Sequence, residues 1–227
     1  MQTRLMAIQQ RIAEAAEQSG REAADIRLVA VSKTMPVEKL RAAMDCGITV
    51  FGENYIQEAR EKFNALYAQD VSWHFIGHLQ SNKAKYAVKM FDLIHSVDSL
   101  KLARELDKQA AKIDKIQEVL VQVNIAAEDT KSGVAVSAAT ELIESVSGLE
   151  HISVKGLMTM PPYFNAPEKV RPFFASLRQL RDQIQALEIP GVGMDELSMG
   201  MTGDFEAAIH EGATLVRIGT AIFGERQ

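Results

Sequence analysis

Lys33 stands where a buried strand gives way to a helix. The apolar run Leu28-Val29-Ala30-Val31 leads through Ser32 to the lysine, and Pro36 follows where a first helical turn would begin. Val29 and Val31 favour an extended backbone, and a run that is apolar on both faces suits a parallel strand covered on both sides. An amine at the carboxyl end of such a strand has apolar neighbours that disfavour its charged form, which frees it to attack a carbonyl and form a Schiff base. The plainer alternative is a cation that merely draws an anion to that edge of the sheet.

Two later stretches could hold the anion: Ser198-Met199-Gly200-Met201-Thr202 and Gly219-Thr220. Each offers small residues that let backbone amides approach, hydroxyls that donate, and a helix start with its positive dipole end. Ordinary turns use the same residue types. A nucleophilic lysine beside a phosphate site would equip the chain for pyridoxal phosphate chemistry, or for a sugar-phosphate aldolase that needs no cofactor. The residue types alone leave both open.

Arg217 lies among Leu215, Val216 and Ile218 and shares the strand parity of Leu215 and Gly219. Buried there it needs a partner. It is either a salt-bridge or outward-facing arginine, or it points into the site and contacts a ring nitrogen or a phosphate. His74 and His78 are four apart but fall on a strand and a loop without a cysteine or carboxylate set, so no metal site is expected. His74 reads as a satisfied core residue, and His78 with Gln80 and Lys83 as part of a functional rim. Asn54 and Asn124 end strands, where caps and turns are their ordinary roles; Asn54 and Gln57 have the spacing of a helix cap and its partner.

The elements that must position these residues alternate strictly. Strands are expected at 28–31, 48–51, 73–76, 91–95, 118–124 and 152–157, then one closing at 197–200, and one at 214–218. Helices are expected at 1–18, 36–45, 55–69, after Lys83, and at 99–112, 137–147, 170–187 and 204–211. A polar loop, 128–133, follows the fifth strand, and a longer one, 158–162, the sixth. Eight strands separated by helices imply parallel pairing and closure, so the fold class is α/β: a single (β/α)8 TIM barrel over residues 1–227 with an additional N-terminal helix. In such barrels the loops after the seventh and eighth strands commonly bind phosphate, which is where the two stretches lie. A doubly wound open sheet is the alternative, but no Gly-x-Gly-x-x-Gly turn follows the first strand.

Composition excludes several classes. The 227 residues carry 25 basic and 30 acidic side chains, a net charge of -5 with no basic block, which argues against nucleic-acid and anionic-membrane partners. Residues 1–18 intersperse Arg4, Arg11, Glu14 and Glu17 among apolar positions, unlike a signal peptide. With Cys46 as the only cysteine there is no internal disulfide, and the cytoplasm is the expected compartment.

Six ordered motifs then carry a resemblance over about residues 28–224: Ala30-Val31-Ser32-Lys33, Phe51-Gly52-Glu53-Asn54-Tyr55, the run from Trp73 to Lys83, Gly156-Leu157-Met158-Thr159-Met160, Leu197-Ser198-Met199-Gly200-Met201-Thr202, and Val216-Arg217-Ile218-Gly219-Thr220. The chain resembles the pyridoxal phosphate homeostasis protein family, whose fold is similar to the N-terminal barrel of alanine racemase. Thr202 stands where that family is expected to have serine, and the hydroxyl is kept. The resemblance implies that Lys33 carries pyridoxal 5′-phosphate as a Schiff base and that Ser198, Gly200, Gly219 and Thr220 hold its phosphate. It further implies that Arg217 faces the pyridine nitrogen and that Asn54, His78, Met160 and Met199 complete the cofactor site. An arginine at the ring nitrogen keeps it unprotonated and weakens the ring as an electron sink. The implied role is intracellular homeostasis of pyridoxal phosphate without robust catalysis, by a monomer whose partners are the small molecule and the apoenzymes that use it. A racemase of the alanine type takes its second base, a tyrosine, from a C-terminal β domain, for which the sequence ending at Gln227 leaves no room. A low-activity racemase or lyase and the cofactor-free aldolase are the rival readings.

Overall fold

Apolar runs of strand length are separated throughout the chain by amphipathic stretches, and neither can bury its apolar face alone. In the computed structural model, which describes residues 1–227 apart from 67–68, 129–130, 163, 165 and 225–227, they solve this by closing on each other. The strands are β1 (Arg27–Val31), β2 (Val50–Glu53), β3 (Ser72–Phe75), β4 (Leu93–Val97), β5 (Gln117–Asn124), β6 (Val134–Ala135), β7 (Ile152–Met158), β8 (Val192–Ser198) and β9 (Leu215–Ile218). All pairings are parallel, in the order β4-β3-β2-β1-β9-β8-β7-β5, and a β4–β5 pairing shuts the ring. The expected eight-stranded barrel is therefore formed. The two-residue β6 pairs only with the end of β5, outside the ring.

Alternation splits the side chains of each strand. Val29, Leu93, Leu120, Met158 and Leu215 meet inside the ring, whereas Ala30, Phe51, Phe75, Ile94 and Val216 face the helices. The helices are α1 (Gln2–Gln18), α2 (Val37–Met44), α3 (Ile56–Ala65), α4 (Ala84–Met90), α5 (Leu100–Ala111), α6 (Ala139–Ser147), α7 (Pro167–Gln185), α8 (Phe205–His210) and α9 (Thr220–Phe223). On α1 the buried positions Leu5, Ile8, Ile12, Ala15 and Ala16 follow the helical period and dock the extra helix against α8. There Arg11 sits 4.6 Å above the Phe205 ring. Among the described residues no helix is long and apolar enough to cross a membrane.

Several boundaries differ from expectation for tertiary reasons. Gly52 and Glu53 extend β2 beyond the apolar run because they pair with His74 and Phe75 of β3. β8 begins at Val192 but stops at Ser198, since Gly200 adopts φ +90°. The helix expected at 55–69 is shorter and starts from Tyr55 with no side-chain cap; Asn54 does not cap it, and its Oδ1 is buried without a hydrogen-bond partner. Ser99, by contrast, caps α5 by accepting from the Leu102 amide at 3.4 Å. Part of the polar loop at 128–133 lies outside the described residues.

Candidate functional site

Lys33 lies one residue beyond β1, after Ser32, and next to it in the turn Thr34 holds φ +65°, a conformation that β-branched residues rarely adopt. The Lys33 side chain borders a cavity of about 390 Å³ at the carboxyl ends of β1, β8 and β9, within the ~300–1,000 Å³ typical of ligand pockets. Arg217, Gly219 and Thr220 line the same cavity, so four of the residues singled out from the sequence meet there. Met201, Thr202, Gly203 and Asp204 form the wall after β8, and Val31, Phe164 and Pro167 give it an apolar side.

Arg217 is only 4% exposed although it borders the cavity. Its guanidinium donates to Ser198 Oγ at 2.5 Å and to the Thr159 carbonyl at 2.9 Å. Burial pushes its pKa down to about 10, partly offset by Asp204, so it remains a cation at neutral pH. Among the described residues no carboxylate lies within ion-pair distance of it, and a buried cation without a carboxylate favours an electron-rich partner from the cavity. Asp204 turns toward the wall loop, its Oδ1 accepting from the Met201 amide at 2.6 Å. Burial raises its pKa, and the Met201 hydrogen bond and Arg217 oppose the rise.

The polar chain continues through the barrel interior. Ser198 Oγ lies 2.8 Å from His95 Nδ1, and His95 Nε2 lies 3.0 Å from His74 Nδ1. Burial lowers the pKa of both imidazoles, His74 to about 4 and His95 well below its ordinary value, so both are neutral at pH 7. His74 is thus the hydrogen-bonded core residue its sequence context suggests. His95, which the sequence reading passed over, is its partner. A strand-parity count would have found it: His74 pairs with Leu93, placing His95 diagonally beyond it on the same inner face.

The other sequence candidates lie elsewhere. Ser198 is wholly buried, and its hydroxyl is hydrogen-bonded to Arg217 and His95. Met199 points into the core between sheet and helices, so only its backbone can face a ligand. Asn54 and His78 line a separate cavity of about 460 Å³ with Tyr55, Gln57, Gln80 and Lys83. Met160 is 41% exposed, and its carbonyl accepts from Lys131 at 3.4 Å. Packing also accounts for two glycines read as phosphate-loop residues: a Cβ on Gly200 would come within 2.6 Å of the Ala208 Cβ, and one on Gly219 within 3.2 Å of the Val31 carbonyl. Thr202 and Thr220, on two different loops, both border the cavity, and packing does not explain their hydroxyls.

Comparison with known proteins agrees with this fold. The family model for the alanine racemase N-terminal domain matches residues 4–227. A pyridoxal phosphate homeostasis protein from Aquifex aeolicus is 48% identical over 224 residues, covering 99% of this chain and 97% of that one. The solved structure of PipY from Synechococcus elongatus with pyridoxal phosphate bound superposes with a TM-score of 0.82 at 36% identity, over 94% of this chain and 100% of that one. A protein of unknown function from Bifidobacterium adolescentis superposes with a TM-score of 0.90 at 38% identity, over 97% and 93% of the two chains.

Proposed function

The chain belongs to the pyridoxal phosphate homeostasis protein family, and from that premise we propose that it holds pyridoxal 5′-phosphate in the cavity bordered by Lys33, Arg217, Thr202 and Thr220. The observation that carries this is the meeting, in one cavity, of an amine, a buried guanidinium that among the described residues has no carboxylate within ion-pair distance, and two hydroxyls from separate loops. When bound, the cofactor supplies an aldehyde that condenses reversibly with amines and a ring that draws electrons from the attached carbon.

Each residue has a separate task. Lys33 supplies the amine for covalent attachment. Thr202 and Thr220 donate to the phosphate, and the apolar wall of Val31, Phe164 and Pro167 receives the ring face. Arg217 can only donate, so facing the ring nitrogen it leaves that atom without a proton and the ring a weaker electron sink. Ser198 and the Thr159 carbonyl fix the guanidinium in that orientation.

A weak electron sink suits a cytoplasmic carrier that buffers pyridoxal phosphate and yields it to apoenzymes. The family relationship to the alanine racemase N-terminal domain favours, as the second reading, slow racemisation or elimination on amino acids through the same lysine. A visible spectrum and an intact mass before and after borohydride reduction test the first proposal, followed by peptide mapping. The label is expected on the peptide containing Lys33, and recovery solely on another lysine such as Lys83 or Lys155 would overturn it. Turnover of alanine and serine well below ~1 s⁻¹ is expected of a carrier, and fast Lys33-dependent racemisation would favour the second reading.

A further inference from the structure

We propose that Lys62 is a positioning residue for Lys33: from helix α3 it clamps both ends of the turn that carries the reactive amine, an inference that rests on Lys33 being the attachment point. Lys62 is 4% exposed, an unusual place for a lysine unless each of its donors is used. All three are. Nζ donates to the Ser32 carbonyl at 2.7 Å, to Glu53 Oε1 at 2.8 Å and to Glu58 Oε1 at 2.5 Å.

The acceptors surround Lys33 in the chain. Ser32 precedes it, and its hydroxyl also donates to Glu53 Oε1 at 2.6 Å. Thr34 follows it, and its amide donates to Glu58 Oε1. One ammonium therefore joins the backbone before Lys33 directly and the backbone after it through a single carboxylate. Between those ties Thr34 holds φ +65°, which a threonine abandons when nothing fixes it. Glu53 is 0% exposed and lies at the end of β2, so the clamp is anchored in the barrel wall rather than in a surface loop.

Stability alone is a poor explanation for such a cluster. Buried ion pairs often add nothing over apolar residues of the same shape, because desolvation of two charges cancels their attraction. What an apolar cluster cannot do is bind a carbonyl and, through a carboxylate, an amide two residues apart. Condensation of an amine with an aldehyde depends on the aim of the amine, and a displacement of about 1 Å in a reacting group can cost about a hundredfold in rate.

The test uses the full chain, with pyridoxal 5′-phosphate and, as a probe that cannot condense, pyridoxine 5′-phosphate, which has an alcohol in place of the aldehyde. Lys62→Met keeps the shape and removes the donors. Glu58→Gln, at a side chain 26% exposed, loosens only the Thr34 end and guards against misfolding of the first variant. Both are expected to slow covalent trapping on Lys33 by about tenfold or more while affinity for pyridoxine phosphate changes less than about twofold. Amide exchange at Thr34 in the cofactor-free protein should quicken in both, and Lys62→Arg should recover part of the trapping rate. Equal loss for the two ligands would reduce Lys62 to a general structural role, and unchanged trapping with wild-type label on Lys33 would overturn the clamp alone. A wild-type protein that traps nothing on Lys33 would overturn the binding proposal and the clamp with it.

Discussion

Acidification should loosen this barrel from the inside, through its two buried imidazoles. His74 is 2% exposed and His95 is not exposed at all; burial is the main cause of the low pKa of each, with Arg27 further lowering His74 and His74 further lowering His95. In the unfolded chain both imidazoles bind a proton near pH 6.5, whereas folded His74 does so only at about pH 4 and His95 well below its ordinary value. Between those limits the unfolded state holds more protons, so stability falls as pH falls from 6.5. By about pH 5 His74 alone should have cost about 2 kcal/mol, and His95 adds a further loss of the same sign, against a total of ~5–15 kcal/mol for a typical domain. Urea unfolding followed by far-ultraviolet circular dichroism at about pH 7.5 and pH 5 measures the drop. His95→Gln keeps hydrogen-bonding capacity without the titration and should make the drop smaller, whatever it does to stability at pH 7.5. Full retention of stability at pH 5, or an equal drop in the His95→Gln protein, would refute the reasoning.

Three further outcomes follow from particular contacts. Thr220→Val should weaken binding of pyridoxal phosphate about ten- to a hundredfold, while barely changing that of pyridoxal, as titrations monitored by absorbance would show. Ser198→Ala should weaken both ligands together, because its hydroxyl acts on the ring end through Arg217; a selective loss of phosphate binding would restore Ser198 to the phosphate site. Gly156→Ala should destabilise the protein by about 1–3 kcal/mol or more, since Gly156 has φ +153° and a Cβ would fall 1.9 Å from the Glu196 carbonyl, between β7 and β8. A melting temperature within about 1 °C of wild type would contradict it.

The barrel was legible in the sequence because each unit announces itself locally. Val29 and Val31 report an extended backbone, Leu5, Ile8 and Ile12 a helical face, and closure follows from the count of units. Lys33, Arg217, Gly219 and Thr220 were legible as a group because their strand ends must converge once the ring shuts. Ser198 shows what reading by motif does not reveal. It pairs with Leu215 across β8 and β9, so alternation turns its hydroxyl into the barrel, turns Met199 outward to the helices, and leaves the rim to residues beyond Gly200. A parity count from Leu215 would have exposed this, whereas the resemblance of Ser198 and Thr202 to a phosphate loop concealed it. Asn54 went astray for a different reason: spacing to Gln57 is compatible with a cap, but the helix starts from Tyr55 with no side-chain cap. No sequence signal marks Lys62. Its acceptors are a carbonyl 30 positions away, a carboxylate nine away and another four away, and only the last is a helical neighbour. Local pattern reveals which amine can react. The contacts that aim it are long-range consequences of packing α3 against β2 and the turn after β1, where a buried charge must find every partner it can.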